Sequence, residues 1–181
     1  MDTTRPIKSE KMKPSTEGFT LIEVMIVLTI IGIIAAIAVP NFLTWAENNR
    51  LRAASQELLS DMQHAKSEAI KRNRNVVIVF APVGCAPTVP TPGGGYTIFV
   101  DDGSGAGGVA RNNVQDGTEP VLRQVAMRQG SGICAVTVAG NTTGFIPTGR
   151  PIALNSGSVT LQNGNGRSYT LTLGIAGNLT L

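Results

Sequence analysis

One carboxylate, Glu23, is the only ionisable side chain between Phe19 and Ala46. An acid in such greasy surroundings can do one kind of chemistry well, which is pairing with a cation that is itself poorly solvated. The competing explanation is a lone acid near a helix end, snorkelling to a membrane interface. Immediately upstream, Glu17-Gly18 closes a charged segment directly against Phe19, so a small residue marks the junction.

Other residue types capable of chemistry are sparse. Cys85 and Cys134 lie 49 positions apart, and the chain has a single histidine. That spacing fits no zinc motif, so no metal site is expected. If the domain sits outside the cytoplasm, a disulfide is the default reading, with two unpaired buried thiols as the alternative. Closing such a loop would add roughly 4 kcal/mol in the chain-entropy picture. His64 has no second ligand or nucleophile near it in sequence and reads as a solvated helix residue. Lys66, Lys71, Arg72 and Arg74 cluster where positive charge favours a helix C-terminus, and they are also the candidates for a weak DNA-contacting patch. Asp101-Asp102-Gly-Ser-Gly-Ala-Gly-Gly108 could attract calcium but lacks the alternating acids and closing glutamate of an EF-hand, so a plain surface loop is expected. Gly93-Gly-Gly95 lacks the lysine and Ser/Thr of a phosphate loop. No Ser or Cys stands in a nucleophile–base arrangement, so no catalytic residue, enzymatic activity or cofactor is expected.

The elements that carry these residues follow from two changes of pattern. Residues 1–18 hold Arg5, Lys8, Lys11 and Lys13, two prolines and no apolar periodicity, as expected of a targeting segment rather than part of the fold. Phe19 to Pro40 is nearly continuously apolar, and as a helix it would extend about 33 Å, enough to cross a hydrocarbon core. The basic flank on its N-terminal side predicts a cytoplasmic leader and a translocated C-terminal domain. From Asn41 the pattern turns amphipathic: Leu51, Ala54, Leu58, Met62, Ala65 and Ala69 recur at helical spacing, with Glu57, Asp61, Lys66 and Glu68 assigned to the polar side. Pro40 removes one backbone donor, so a kink or local break is expected there.

After Arg74 the period becomes that of strands. Val76–Phe80, Tyr96–Val100, Val121–Met127, Ala135–Val138, Gly144–Ile146, Val159–Leu161, Ser168–Leu173 and Leu179–Leu181 are expected strands between Gly- and Asn-rich turns. The fold class is therefore α+β: a long N-terminal transmembrane and amphipathic helix packed on an antiparallel two-sheet sandwich. The boundaries expected are 1–18 for the leader, 19–40 for the transmembrane helix (which the resemblance described next makes the filament core as well), 41–74 for the amphipathic helix and 75–181 for an extracytoplasmic β-domain.

Gly18-Phe-Thr-Leu-Ile-Glu23 followed by the apolar run resembles the signature of type IV pilins and type II secretion pseudopilins. The resemblance implies cleavage between Gly18 and Phe19 by prepilin peptidase, N-methylation of Phe19, and pairing of Glu23 with the N-terminal amine of a neighbouring subunit. Gly32 and Pro40 sit where that family carries helix-loosening residues. Ala65–Arg72 running into Val76–Val79, Tyr96–Asp102, Val121–Arg123 and Gly144–Arg150 resemble the GspH/FimT branch of minor pilins and pseudopilins. What this implies is a subunit at or near the tip of a secretion pseudopilus or type IV pilus, supporting secretion or pilus assembly. Its partners would be prepilin peptidase, other pilin subunits, an inner-membrane assembly platform and secreted cargo. It would reside in the bacterial inner membrane, single-pass, with its C-terminal domain in the periplasm, before joining a filament. The alternatives are a surface-exposed subunit that binds DNA or surfaces, and a major pilin. The segment Gly177–Leu181 lacks the Gly-Arg-rich character of members proposed to bind DNA, so nucleic acid is disfavoured.

Overall fold

The computed structural model describes residues 18–85, 93–128, 130–152 and 156–181. The basic leader up to residue 17 and residues 86–92 of the Pro/Gly-rich loop lie outside them. The chain divides into two compact units, Met1–Pro40 and Asn41–Leu181.

One helix, α1 (Leu21–Arg72), carries residues of both units. Its assignment continues through Gly32 and Pro40, so the chain stays helical where a local break was an option. A proline forfeits one i→i−4 bond, and a long helix with good formers on either side can absorb that loss. The helix stops at Asn73, whose φ of 55° is left-handed, and the Arg74 N–H donates back to the Ala69 carbonyl at 3.3 Å. This is the six-to-one closure of a Schellman turn, and it aims the chain into the first strand.

In the second unit, β1 (Asn75–Ala81), β2 (Gly95–Asp101), β3 (Val121–Ala126) and β5 (Thr142–Phe145) form one antiparallel sheet in the order β3-β2-β1-β5. A second antiparallel sheet joins β4 (Gly132–Val136), β6 (Gly157–Gln162), β7 (Ser168–Leu173) and β8 (Leu179–Thr180) in the order β4-β6-β7-β8. Ser168–Leu173 coincides with its expected strand. The strand expected at Ala135–Val138 instead begins at Gly132 and ends at Val136, and its pairing with β6 skips Cys134 between Ile133 and Ala135.

Alternation explains the packing. Val76, Ile78 and Phe80 face the same side as Val100, Ile98 and Tyr96, their partners in register. Together with Phe145 of β5, Val159 and Leu161 of β6, and Leu171 and Leu173 of β7, they form one core with Leu51, Leu58, Met62, Ala65 and Ala69 of α1. The opposite face of the first sheet has its own small cluster, Val77 and Phe99 beneath Ile152. Asp61 and Glu68, assigned to the polar side of the helix from sequence, are instead buried at 8% exposure each. Both have arginine partners, which is what permits acids to be buried.

Candidate functional site

The first unit presents its chemistry at the start of α1. Gly18, Phe19 and Thr20 precede the helix, and the Thr20 carbonyl accepts the first helical bond from Val24 N–H at 3.3 Å. The Thr20 hydroxyl oxygen accepts the Glu23 N–H at 3.3 Å. Thr20 is therefore the N-cap and Glu23 the N3 residue, the spacing of a capping box. The Thr-x-x-Glu pattern is the sequence signal that marks Thr20 as a cap, a role that the sequence reading above does not assign. Glu23 thus sits in the first turn, where the helix dipole favours negative charge, four positions from Phe19.

Beyond the cap, the large apolar side chains among the described residues of this unit are exposed. Phe19 is 83% exposed and Leu21 78%, and Ile22, Met25, Leu28, Ile30, Ile33 and Ile37 are all open. A Cβ at Gly32 would meet nothing within 4 Å, so no neighbour in this chain requires the glycine. The Thr29 hydroxyl donates to the Met25 carbonyl at 2.8 Å, which satisfies a polar group within the helix itself. The helix is long and apolar enough to cross a membrane. So large an uncovered apolar surface marks an intermolecular or lipid interface.

Two family models cover this architecture. "Prokaryotic N-terminal methylation motif" matches residues 14–39, and "Type II transport protein GspH" matches residues 54–177. The chain belongs to the GspH family of type IV pilin-like proteins. It is 32% identical over 131 residues to a fimbrial protein of Pseudomonas aeruginosa, covering 71% of this chain and 81% of that one. A type IV major fimbrial protein FimA of Dichelobacter nodosus is 29% identical over 155 residues, covering 76% of this chain and 97% of that one. Among solved structures, the type IV minor pilin FimU of Pseudomonas aeruginosa matches with a TM-score of 0.47 at 19% identity, over 76% of this chain and 91% of that one. As a pilin with the methylation motif, the chain is of the class that prepilin peptidase processes and that assembles with other pilins. Its apolar N-terminal helix suits membrane anchoring and filament assembly.

In the second unit of this pilin-like chain, Cys85 and Cys134 form a disulfide with their Cα atoms 4.4 Å apart. It ties the segment after β1 to β4, beside the hydrogen bond from Val83 N–H to the Ile133 carbonyl at 3.0 Å.

A polar staple joins α1 to the first sheet. One oxygen of Asp61 accepts the Tyr96 hydroxyl at 2.6 Å and the Arg123 Nε at 2.6 Å, while Arg123 also reaches Glu57. Burial, and then the hydrogen bond to Asp61, push the Tyr96 phenol far above its ordinary value. The Asp61 charge holds the Arg123 guanidinium above its ordinary value. No sequence signal marked this trio, whose members come from three separate elements.

The four cations of the basic cluster are not presented together. Lys66 donates to the Gly177 carbonyl at 2.9 Å. Arg72 pairs with Glu68 at 2.6 Å and Lys71 stands 3.6 Å from the same carboxylate. The Arg72 hydrogen bond is the main reason the Glu68 carboxyl lies below its usual range. His64 lies 4.0 Å from Glu68 on the exposed side of the helix. Arg74 falls within electrostatic range of Asp102.

The loop after β2 is organised by its own acids. Asp101, fully buried, accepts the N–H groups of Arg111 and of Asn113, the latter at 2.8 Å. Glu119 accepts Gly103 N–H at 2.9 Å and Asp116 N–H at 3.2 Å, and Asp116 accepts Val109 N–H at 3.0 Å. Asp102 caps Ser104 at 3.0 Å. These carboxylates are spent on backbone donors. Among the described residues no group of three His, Cys, Asp or Glu side chains is arranged to hold a metal ion.

Proposed function

We propose that this chain is a minor pilin or pseudopilin of the GspH/FimT type, cut between Gly18 and Phe19 by prepilin peptidase and methylated at Phe19. It is then inserted at or near the tip of a type II secretion pseudopilus or a type IV pilus, where it supports secretion or pilus assembly. The observation that carries this reading is Glu23 in the capped first turn of a helix whose large apolar side chains up to Pro40 are exposed. In a filament, a neighbour's N-terminal amine is the cation that such an acid requires, and neighbouring helices cover the apolar surface. Gly32, unconstrained within its own chain, is a point where another helix can approach closely. Pro40 ends the apolar stretch and loosens the helix before the globular half begins. The platform, the cargo and a periplasmic C-terminal domain belong to the same proposal.

The basic cluster adds no support for DNA capture, since Lys66, Lys71 and Arg72 each have a partner inside the domain. Likeness to major fimbrial proteins supports a second reading, that of a shaft subunit. Abundance in sheared filaments separates the two, because a tip subunit is present at a small fraction of the shaft protein. Intact mass and N-terminal sequencing of protein from native membranes test the processing. A chain starting at methylated Phe19, and lost without the peptidase, is expected; one retaining its leader beside active peptidase would refute it. Glu23→Ala is expected to abolish incorporation into filaments while leaving cleavage intact.

A further inference from the structure

The first sheet has an open edge. Among the described residues β3 pairs with β2 on one side and with no strand on the other, and most of its residues are exposed. The Met127 N–H donates to the Gly94 carbonyl at 3.1 Å, toward the sheet. With Ala126 opposite Gly95 and Gln124 opposite Thr97, antiparallel alternation turns the main-chain groups of Gln124 and Ala126 outward. These are unpaired donors and acceptors waiting on an edge.

A groove of about 1090 Å³ runs beside this edge, between β3 and the turns of α1 that begin at Arg50. Its wall on the helix side is low, because Ala53 and Ala54 are small, and Val125 and Met127 supply apolar surface opposite. Charge beside the groove has a positive excess rather than a single sign. Arg123 is shared between Glu57 and Asp61, whereas Arg50 and Arg128 are exposed and form no ion pair among the described residues. An extended backbone would satisfy the edge, alternate side chains would enter the groove, and acids would meet the two arginines.

We infer that β3 and this groove take up an extended acidic segment of a different subunit of the same filament, added as a further strand. A second copy of this chain does not fit. Every acid past Gly18 lies in α1, at the end of β2 or in the loop that follows it, and none lies in an exposed extended segment. Arg50 lies ten positions beyond Pro40, close in sequence to the helix stretch that filament subunits share, which favours a subunit over soluble cargo. The choice of a subunit rests on the filament reading proposed above; the binding chemistry does not.

The test uses the full chain in detergent with two fluorescent eight-residue peptides, one alternating valine with glutamate and one alternating valine with lysine. Anisotropy is expected to show at least tenfold tighter binding of the glutamate peptide, weakening with salt. The surface double variant Arg50→Glu/Arg128→Glu should invert the preference. Gln124→Pro, which removes an outward N–H without altering charge, should weaken binding about tenfold while circular dichroism stays unchanged. Equal binding of both peptides, or a charge-reversed variant that keeps the original preference, overturns the groove. If Gln124→Pro folds and binds normally, strand addition is wrong. A photo-crosslinking residue at position 124 in filament-forming cells then reads the source. An adduct with another filament subunit is expected, whereas adducts only with secreted proteins would overturn that assignment while leaving the groove chemistry intact. Absence of the native chain from filaments, with intact peptide binding, would fault the filament reading alone.

Discussion

The two units of this chain obey opposite rules of burial. In the first, from Gly18 to Pro40, the large apolar side chains are exposed and the only hydrogen-bonding side chains described act within their own helix. In the second, Leu51, Ile78, Phe99, Phe145 and Leu171 are fully buried, and acids and arginines from separate elements meet. The first leaves its apolar surface open; the second buries its own. Stability measurements on an isolated chain should therefore see the second unit and be nearly blind to the first.

The sharpest way to break that contrast is a pair of truncations. Phe145→Ala, in the centre of the shared core, should lower the unfolding free energy by about 3–5 kcal/mol in denaturant melts of the detergent-solubilised chain. Ile30→Ala should leave that melt unchanged and show its effect only in membrane retention or filament incorporation. A comparable loss in both variants would mean that the first unit packs on its own chain after all. Replacing both Cys85 and Cys134 by serine should cost roughly 4 kcal/mol, from the loop of 49 positions that the disulfide closes. The same loss should follow from reductant on the native protein, and Glu23→Ala should not alter it.

The staple between α1 and the first sheet gives a smaller effect. Asp61→Ala strands the buried Tyr96 hydroxyl and releases Arg123, at a cost of about 2–3 kcal/mol. Tyr96 also sets an alkaline limit. Its phenol is held protonated in the fold, so its contribution is complete below the unfolded value of about 10 and is lost as pH rises above that. Tyr96→Phe should remove this alkaline decline at a cost of about 1 kcal/mol near neutrality. At the acid end the sign reverses. The depressed Glu68 carboxyl contributes above the ordinary carboxylate range, and that contribution is lost as pH falls through its folded value. Glu68→Gln should flatten that part of the acid limb. The smallest effect expected is Thr20→Ala, about 1 kcal/mol or less confined to the first turn of α1, seen as faster amide exchange at Glu23 with the second unit untouched.

Much of the architecture was written in local pattern. The apolar run from Phe19 to Pro40, the helical spacing from Leu51 to Ala69, and the β-branched strands at Val76 and Ser168 each needed only their own neighbours to be read. The Gly18–Glu23 signature was equally local, since it is made from consecutive residues and falls within the matched methylation motif. Asp61 and Glu68 were misread because a charged side chain defaults to solvent unless its counter-charge is known. The counter-charge of Asp61 lies on β3, far along the chain.

What the sequence determined by itself is therefore what depends on period and adjacency: an apolar helix starting beside Gly18, and a β-rich unit after Arg74. What only the tertiary structure decided is who meets whom across long separations. It returned β5 to the side of β1 and drew β4 into the second sheet. It placed Arg123 and Tyr96 on one oxygen of Asp61, and it left the outer edge of β3 open beside two arginines. Such pairings are set by which faces can bury apolar area together, and that area belongs to the whole core rather than to any segment of the chain.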